Sequence, residues 1–189
     1  MASQNSKRFF LFLIFVGFIL TVIGFFSPGW RQYSNGGGEP QLGLASYYCG
    51  SGMNKVNAKD CYRWFIAREP WLKAVVAFMS IAFILEVVLL LITLVHVCRK
   101  RDDANSFAPA VFLCLLISIC LLIAWVVFAS KNQTDAKYMV STQNQLNSKN
   151  YPGYSFYLTV ISFVFFVFAT LVGFYAIKEV NEEHGLGRA

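Results

Sequence analysis

The sequence predicts an all-α membrane protein of four transmembrane helices with a small extracellular β-sheet. First, the 189 residues are 57% hydrophobic and only 14% charged, whereas about a quarter of the residues in a soluble domain are charged. Second, the apolar residues gather in four blocks, residues 9–26, 73–97, 107–129 and 155–177. Third, the long interval between the first two blocks contains turn residues and two cysteines.

Each block is long enough to span a bilayer, because a helix needs about 20 residues to cross a hydrocarbon core about 30 Å thick. Lys7 and Arg8 precede the first block as in a signal peptide, but no small-residue cleavage pattern follows its long apolar run. We therefore expect a retained helix. Four crossings leave both termini on one side, within a single domain over residues 1–189.

Basic residues indicate the orientation, since loops rich in Lys and Arg stay cytoplasmic. Residues 99–101 are Arg-Lys-Arg within the short connector 98–106, and Lys7 and Arg8 flank the first block on the same side. Residues 1–8, 98–106 and 178–189 are then cytoplasmic, and loops 27–72 and 130–154 are extracellular. The net charge of +6 needs no nucleic-acid partner, and no basic stripe supports one.

The outer loops carry two features typical of an extracellular location. Asn132 begins an Asn-Gln-Thr sequon in the second loop, which makes it a candidate glycosylation site. Cys49 and Cys61 lie in the first loop, where an oxidising environment permits a disulfide. Closing a ring of this size should stabilise the loop by about 3 kcal/mol.

The first outer loop has strand and turn signals. Residues 30–34 and 41–49 predict a hairpin around the turn-rich residues 35–40. Residues 61–66, Cys-Tyr-Arg-Trp-Phe-Ile, are rich in aromatic residues and predict another strand. On this interpretation the disulfide would join two neighbouring strands.

Three cysteines lie outside this loop. Cys114 and Cys120 fall within the third block, where a small apolar side chain is the ordinary explanation. Cys98 adjoins the basic run at the cytoplasmic edge of the second block. It is either a palmitoylation site or a plain boundary residue, and both interpretations stay open.

Glu86 is the only acidic residue inside a predicted membrane segment. Intramembrane acids are costly and are candidates for function. Glu86 lies at a depth similar to Ser118, so a hydrogen-bonded, protonated structural acid is one interpretation, and a transport residue is the other. We favour the structural role, because no second carboxylate or basic partner lies at that depth to form a relay.

No motif indicates an enzyme. The two histidines, His96 and His184, do not have metal-ligand spacing. The chain has no nucleophile elbow and no phosphate loop, and residues 36–38, three glycines, lack the helix and lysine that phosphate binding requires. We expect no catalytic residue, no metal and no cofactor.

Several motifs together resemble the claudin superfamily, which includes the peripheral myelin protein group and the stargazin-type channel subunits. Its mark in the first outer loop is a Trp soon after the first helix, then Gly-Leu-Trp, then two cysteines about ten residues apart. In this chain the corresponding residues, in order, are Trp30, Gly43, Leu44, Cys49 and Cys61. Residues 71–74, Trp-Leu-Lys-Ala, and 153–157, Gly-Tyr-Ser-Phe-Tyr, resemble the family's entries into helices two and four.

The chain also departs from the family pattern. Ala45 stands where the family has Trp, and the step from Gly43 to Cys49 is one residue longer, so Tyr47 or Tyr48 is a candidate for the missing aromatic contact. Residues 186–189 do not resemble the PDZ-binding terminus of vertebrate claudins, which puts attachment to a junctional scaffold in doubt. These differences indicate a divergent member, with an invertebrate origin as one interpretation.

The resemblance implies a left-handed four-helix bundle topped by an antiparallel sheet from the first loop plus one strand of the second. It implies association with claudin-like proteins, in one membrane and across the cell gap, as a paracellular barrier or channel. Met53 and the aromatic residues of 138–154 would contact neighbours. Basic residues of the first loop, with Lys55, Lys59 and Arg63 among them, would favour anions in such a pore.

Two other functions use the same scaffold. One is an auxiliary subunit that binds an ion channel or receptor, as the stargazin-type subunits do. The other is a membrane adhesion protein of the peripheral myelin type, without barrier function. The junctional function is the leading hypothesis, and residues 155–157 together with the terminus that lacks a PDZ-binding pattern favour the auxiliary subunit as the alternative.

Overall fold

The computed structural model describes residues 2–33, 40–52, 55, 57–98, 104–132 and 150–186. Four long helices dominate it: α1 (Ala2–Phe26), α3 (Pro70–Cys98), α4 (Ala104–Lys131) and α5 (Tyr154–Leu186). A short helix, α2 (Ala58–Ile66), precedes α3. The strands are β1 (Arg31–Tyr33), β2 (Gln41–Leu42), β3 (Tyr47–Tyr48) and β4 (Asn150–Pro152).

All four long helices are apolar enough to span a membrane, over Asn5–Phe26, Pro70–His96, Ala108–Lys131 and Tyr154–Glu179. They form a closed ring, because α1 packs against α3 and α5, and α4 packs against the same two helices. Large apolar side chains fill the centre, including Phe10, Met79 and Phe166. Apolar side chains also cover the outside of the ring, as in Phe112 and Leu171, which suits a lipid environment.

Small residues allow α1 and α5 to approach closely. A Cβ atom at Gly17 would lie 2.8 Å from Cε2 of Phe166, and one at Gly24 would lie 2.7 Å from Oγ1 of Thr159. In lipid, where the hydrophobic effect does not drive helices together, such close packing supplies much of the association energy. Gly17 and Gly24 therefore serve packing within the bundle.

The four strands form one antiparallel sheet in the order β3-β2-β1-β4. Arg31 pairs with Leu42 on β2 and with Pro152 on β4, and Gln41 pairs with Tyr48 on β3. The sheet lies where α1 ends and α5 begins, which we call the sheet end of the bundle. These four helices and this small sheet confirm the predicted fold class.

Two features of the first loop differ from the sequence-based expectation. Residues 41–49 form two short strands with a turn between them, because the chain reverses after Gly43, whose N–H bonds to the carbonyl of Ser46 at 2.9 Å. Residues 61–66 belong to α2, so the strand predicted there is wrong. The physical reason is helical periodicity: Cys61 is fully buried and Phe65 half-buried, while Lys59 and Arg63 are exposed.

Candidate functional site

Trp30 anchors the sheet to the bundle. Its ring is 1% exposed and meets Phe128 of α4 edge-on at 4.9 Å between centroids, and Phe156 of α5 at 6.0 Å. Its indole N–H donates to the carbonyl of Gly24 at 2.6 Å, which is one of the carbonyls that the end of α1 leaves without an intrahelical partner. Trp30 thus closes the core and caps α1.

The backbone of Trp30 links both sides of the sheet to this anchor. Its N–H donates to the carbonyl of Leu42 at 3.2 Å, and its carbonyl accepts from the N–H of Gly153 at 2.9 Å. The N–H of Ser155, in the first turn of α5, donates to the carbonyl of Gly29 at 3.0 Å. The strands therefore start from a fixed position between α1 and α5.

Gly43 and Leu44 hold the next turn against the end of α1. A Cβ atom at Gly43 would lie 2.8 Å from Cα of Pro28 and 2.8 Å from the carbonyl oxygen of Ser46. Backbone atoms cannot give way as flexible side chains do, so this position requires glycine. Leu44 is 1% exposed in the core, and the Ser46 hydroxyl donates to the carbonyl of Phe26 at 2.5 Å.

A disulfide joins Cys49 to Cys61, with Cα atoms 5.9 Å apart. It ties the segment after β3 to the first turn of α2, so it does not join the two neighbouring strands that the sequence predicted. Asn57 caps α2, because its side chain accepts from the N–H of Lys59 at 3.2 Å. Tyr47 of β3 packs on Phe65 of α2 at 4.7 Å between ring centroids.

Arg31 is a buried cation at the base of the sheet. It is 7% exposed, its guanidinium lies 5.0 Å from the ring centroid of Trp71, and its Nε donates to Oδ1 of Asn132 at 3.0 Å. Asn132 itself is 2% exposed. Strand β1 is thereby tied to the start of α3 and the end of α4. Glycosylation of Asn132 remains a prediction, and it has to compete with this buried contact.

Arg68 fixes the link between α2 and α3. Its guanidinium lies 3.9 Å from the ring centroid of Phe65, and its Nε donates to the carbonyl of the same residue at 3.0 Å. Partial burial lowers the pKa of Arg68 from its ordinary value, but a guanidinium stays charged at physiological pH. Arg68 is therefore part of the scaffold, and the exposed cations lie elsewhere.

The sheet end presents basic and apolar side chains outward. Lys55, Lys59 and Arg63, the predicted selectivity residues, are all exposed. The exposed apolar set, which we call the aromatic rim, lies on the two outer strands of the described sheet and on α2, and consists of Tyr47, Tyr48, Tyr62, Ile66 and Tyr151. Tyr47 and Tyr62 lie side by side, with ring centroids 6.4 Å apart, and exposed apolar side chains that lie together are typical of contact surfaces.

Other predicted site residues lie apart from this region. Ala45 is exposed in the turn after Leu44. Tyr47 contacts aromatic rings of α2, so it belongs to the aromatic rim and does not fill the bundle core. Met53 and residues 133–149 lie outside the described residues. Cys98 is the last residue of α3, and palmitoylation there stays a prediction.

Glu86 lies in the middle of the bundle and contacts Thr21 of α1 instead of Ser118. Ser118 donates to the carbonyl of Cys114 in its own helix at 2.9 Å. Among the described residues, no group of His, Cys, Asp or Glu side chains could hold a metal ion.

Sequence reasoning missed the contact of Arg31 with Trp71 and Asn132. These residues are about 40 and 100 positions from Arg31 along the chain, so no local pattern brings them together. An available signal was the position of Arg31 directly after Trp30, at the level where the membrane-spanning helices end.

The comparisons with known proteins agree with the motifs. The model of a family described as "Tight junction protein, Claudin-like" matches residues 1–182. No curated protein matches the chain.

Proposed function

Because the chain belongs to the claudin-like tight junction family, we propose that this multi-pass plasma membrane protein acts at cell-cell contacts. There it forms or regulates a paracellular barrier or channel, through lateral and trans association of its sheet end with claudin-like proteins. The family is structural and channel-type, without enzymatic activity. The termini and the connector between α3 and α4 are cytoplasmic in this proposal, and the sheet end is extracellular.

The observation that carries the proposal is a sheet end that is anchored to the bundle and presents an exposed aromatic rim. Trp30, Arg31 and the disulfide hold the sheet and α2 in one position relative to the bundle. Preorganised surfaces lose little conformational entropy on association. Tyr side chains contribute large contact area at low entropic cost and are enriched at interfaces.

Charge on the same surface supports an ion-selective version of this function. Of the basic residues in the first loop, Arg31 is buried and Arg68 partly buried, whereas Lys55, Lys59 and Arg63 remain exposed. The carboxylate of Glu69 accepts from the indole N–H of Trp71 at 2.6 Å. The exposed charge of this surface is therefore mainly positive in the described part of the loop, and a pore lined by it would prefer anions.

The test is expression of the tagged protein in cells that lack junctional strands. We expect enrichment at contacts between two expressing cells and none where only one cell expresses it. Replacing Tyr62 and Ile66 by Ser should abolish the enrichment without reducing surface delivery. Leu91→Ala is the matched control, because Leu91 is as exposed as Ile66 (60% against 55%) but lies on the lipid face of α3.

An auxiliary channel subunit is the second candidate. Residues 153–157 resemble the stargazin-type entry into the last helix, and Tyr157 within them is 56% exposed on the surface of α5, where a partner's helix could pack. Uniform surface distribution together with co-purification of a channel or receptor would favour this function. Contact enrichment without any change in transepithelial resistance would instead favour adhesion of the peripheral myelin type.

A further inference from the structure

A chain of hydrogen bonds crosses the interior of the bundle. Oε1 of Glu86 on α3 lies 2.9 Å from Oγ1 of Thr21 on α1. That Thr21 oxygen lies 2.7 Å from Oγ of Ser162 on α5, which lies 2.8 Å from the carbonyl oxygen of Gly17 on α1. Glu86 is 1% exposed, and the two hydroxyl residues are fully buried. Three helices thus meet at one polar chain.

The number of hydrogens available decides the protonation state of Glu86. Each of the three contacts joins two oxygens at hydrogen-bond distance, so each needs a hydrogen between them. Thr21 and Ser162 carry one hydroxyl hydrogen each, and the carbonyl of Gly17 carries none. An ionised Glu86 would leave two hydrogens for three contacts and force one pair of oxygens together without a hydrogen.

We propose that Glu86 is protonated and donates the first hydrogen bond of this chain. The neutral carboxyl donates to Thr21, Thr21 donates to Ser162, and Ser162 donates to the carbonyl of Gly17. Every contact then has one hydrogen, and all of them run in the same direction. Glu86 acts here as a neutral donor that connects α3 to the α1–α5 pair.

The surroundings of Glu86 agree with a neutral carboxyl. In the part of the chain that the structure describes, no Lys, Arg or His pairs with it, and its Oε2 atom is buried without a hydrogen-bond partner. An unpaired carboxylate buried inside a membrane would be very costly, whereas the carbonyl oxygen of a neutral acid is much cheaper to leave unpaired. In the protonated form Oε2 is that carbonyl oxygen.

Infrared spectroscopy of the purified protein tests the protonation state directly. At neutral pH, where exposed carboxyls are ionised, we expect a carbonyl-stretch band of a protonated carboxyl. The band should shift when the protein is made with ¹³C-labelled glutamate and disappear in Glu86→Gln. If wild type shows no label-sensitive band at neutral pH, or if the band persists in Glu86→Gln, the proposal is overturned. The labelled wild-type protein tests the protonation state even if Glu86→Gln fails to fold.

Thermal unfolding in detergent tests the donor role. The amide of Glu86→Gln can still donate to Thr21, so its midpoint should stay close to wild type, while Glu86→Asp, which is one methylene too short, should lose several degrees. Thr21→Val should lose at least as much, because it removes the acceptor of Glu86. Ser118→Ala is the control, since that hydroxyl donates within its own helix, to the carbonyl of Cys114. A loss in Glu86→Gln equal to that in Glu86→Asp would contradict a neutral donor.

Discussion

At the scale of single residues, Trp30 stabilises the fold both by apolar packing and by one hydrogen bond, and the packing contributes more to the free energy of unfolding. Truncating a buried Trp to Ala typically costs about 3–5 kcal/mol, whereas one hydrogen bond contributes about 1 kcal/mol net. Trp30→Phe keeps a smaller aromatic ring in the core but leaves the carbonyl of Gly24 without its indole donor. We expect Trp30→Phe to lower the free energy of unfolding by about 1–3 kcal/mol and Trp30→Ala to lower it by more. The shift of the unfolding midpoint in detergent compares the two variants. Equal losses would show that packing with Phe128 and Phe156 contributes little.

The disulfide gives a second prediction at this scale. Cys49→Ser should abolish the mobility difference between reduced and unreduced protein in electrophoresis and should reduce surface delivery, because about 3 kcal/mol of loop stabilisation is lost. Cys120→Ser is the control, since Cys120 is a free cysteine. A Cys49→Ser protein that reaches the surface normally would contradict a structural role for the bond.

Asn132 gives a third prediction at the scale of single residues. Asn132→Ala removes the acceptor of Arg31 and should cost about 1–3 kcal/mol, the penalty for disturbing a buried hydrogen bond to a charged group. Thr134→Ala destroys the sequon while retaining Asn132 as the acceptor of the Arg31 Nε–H. No mobility shift on glycosidase treatment of the wild type would indicate that Asn132 keeps its buried contact with Arg31 and carries no glycan. A shift that Thr134→Ala removes would instead establish the glycan.

At the scale of elements, the contact of α1 with α5 depends on Gly17. Gly17→Val should cost about 1–3 kcal/mol, the usual penalty for overpacking, because the new side chain would meet the ring of Phe166. Adding Phe166→Leu should recover part of the loss. Phe15→Val, on the lipid face of α1, is the control for a change in helix propensity. Unfolding midpoints in detergent measure all three variants, and a failure of Phe166→Leu to restore stability would show that the strain lies elsewhere.

The elements differ in how far the sequence predicted them. The membrane-spanning helices were evident because twenty or so apolar residues have no alternative in lipid. Helix α2 was not evident, because six residues rich in aromatics suit a strand as well as a helix. The helix is favoured over the strand by the Asn57 cap and by the burial of Cys61. Glu86 was found by its type, but its partners on α1 and α5 follow from tertiary packing, which a local pattern does not contain.

At the scale of the whole molecule, different residues determine the fold and the proposed function. The bundle and the anchors at Trp30 and Arg31 set where the sheet end lies, and the charges that would select ions are carried by α2 and the segment before it. Changing those charges should therefore alter selectivity while leaving folding intact, since exposed side chains contribute little to stability.

The charge prediction concerns Lys59→Glu with Arg63→Glu, expressed in an epithelial monolayer. Coulomb's law gives about 0.5 kcal/mol for two unit charges ~8 Å apart in water, so each reversal changes the free energy of a passing ion by about 1 kcal/mol. Salt screening reduces this to roughly a twofold change in ion partitioning per site. We expect the anion-to-cation permeability ratio, measured from dilution potentials, to fall by at least this roughly twofold factor. Lys73→Glu, in the first turn of α3, should have a smaller effect, because it lies closer to the bundle. An unchanged dilution potential with normal delivery to contacts would show that this surface does not line the conducting path.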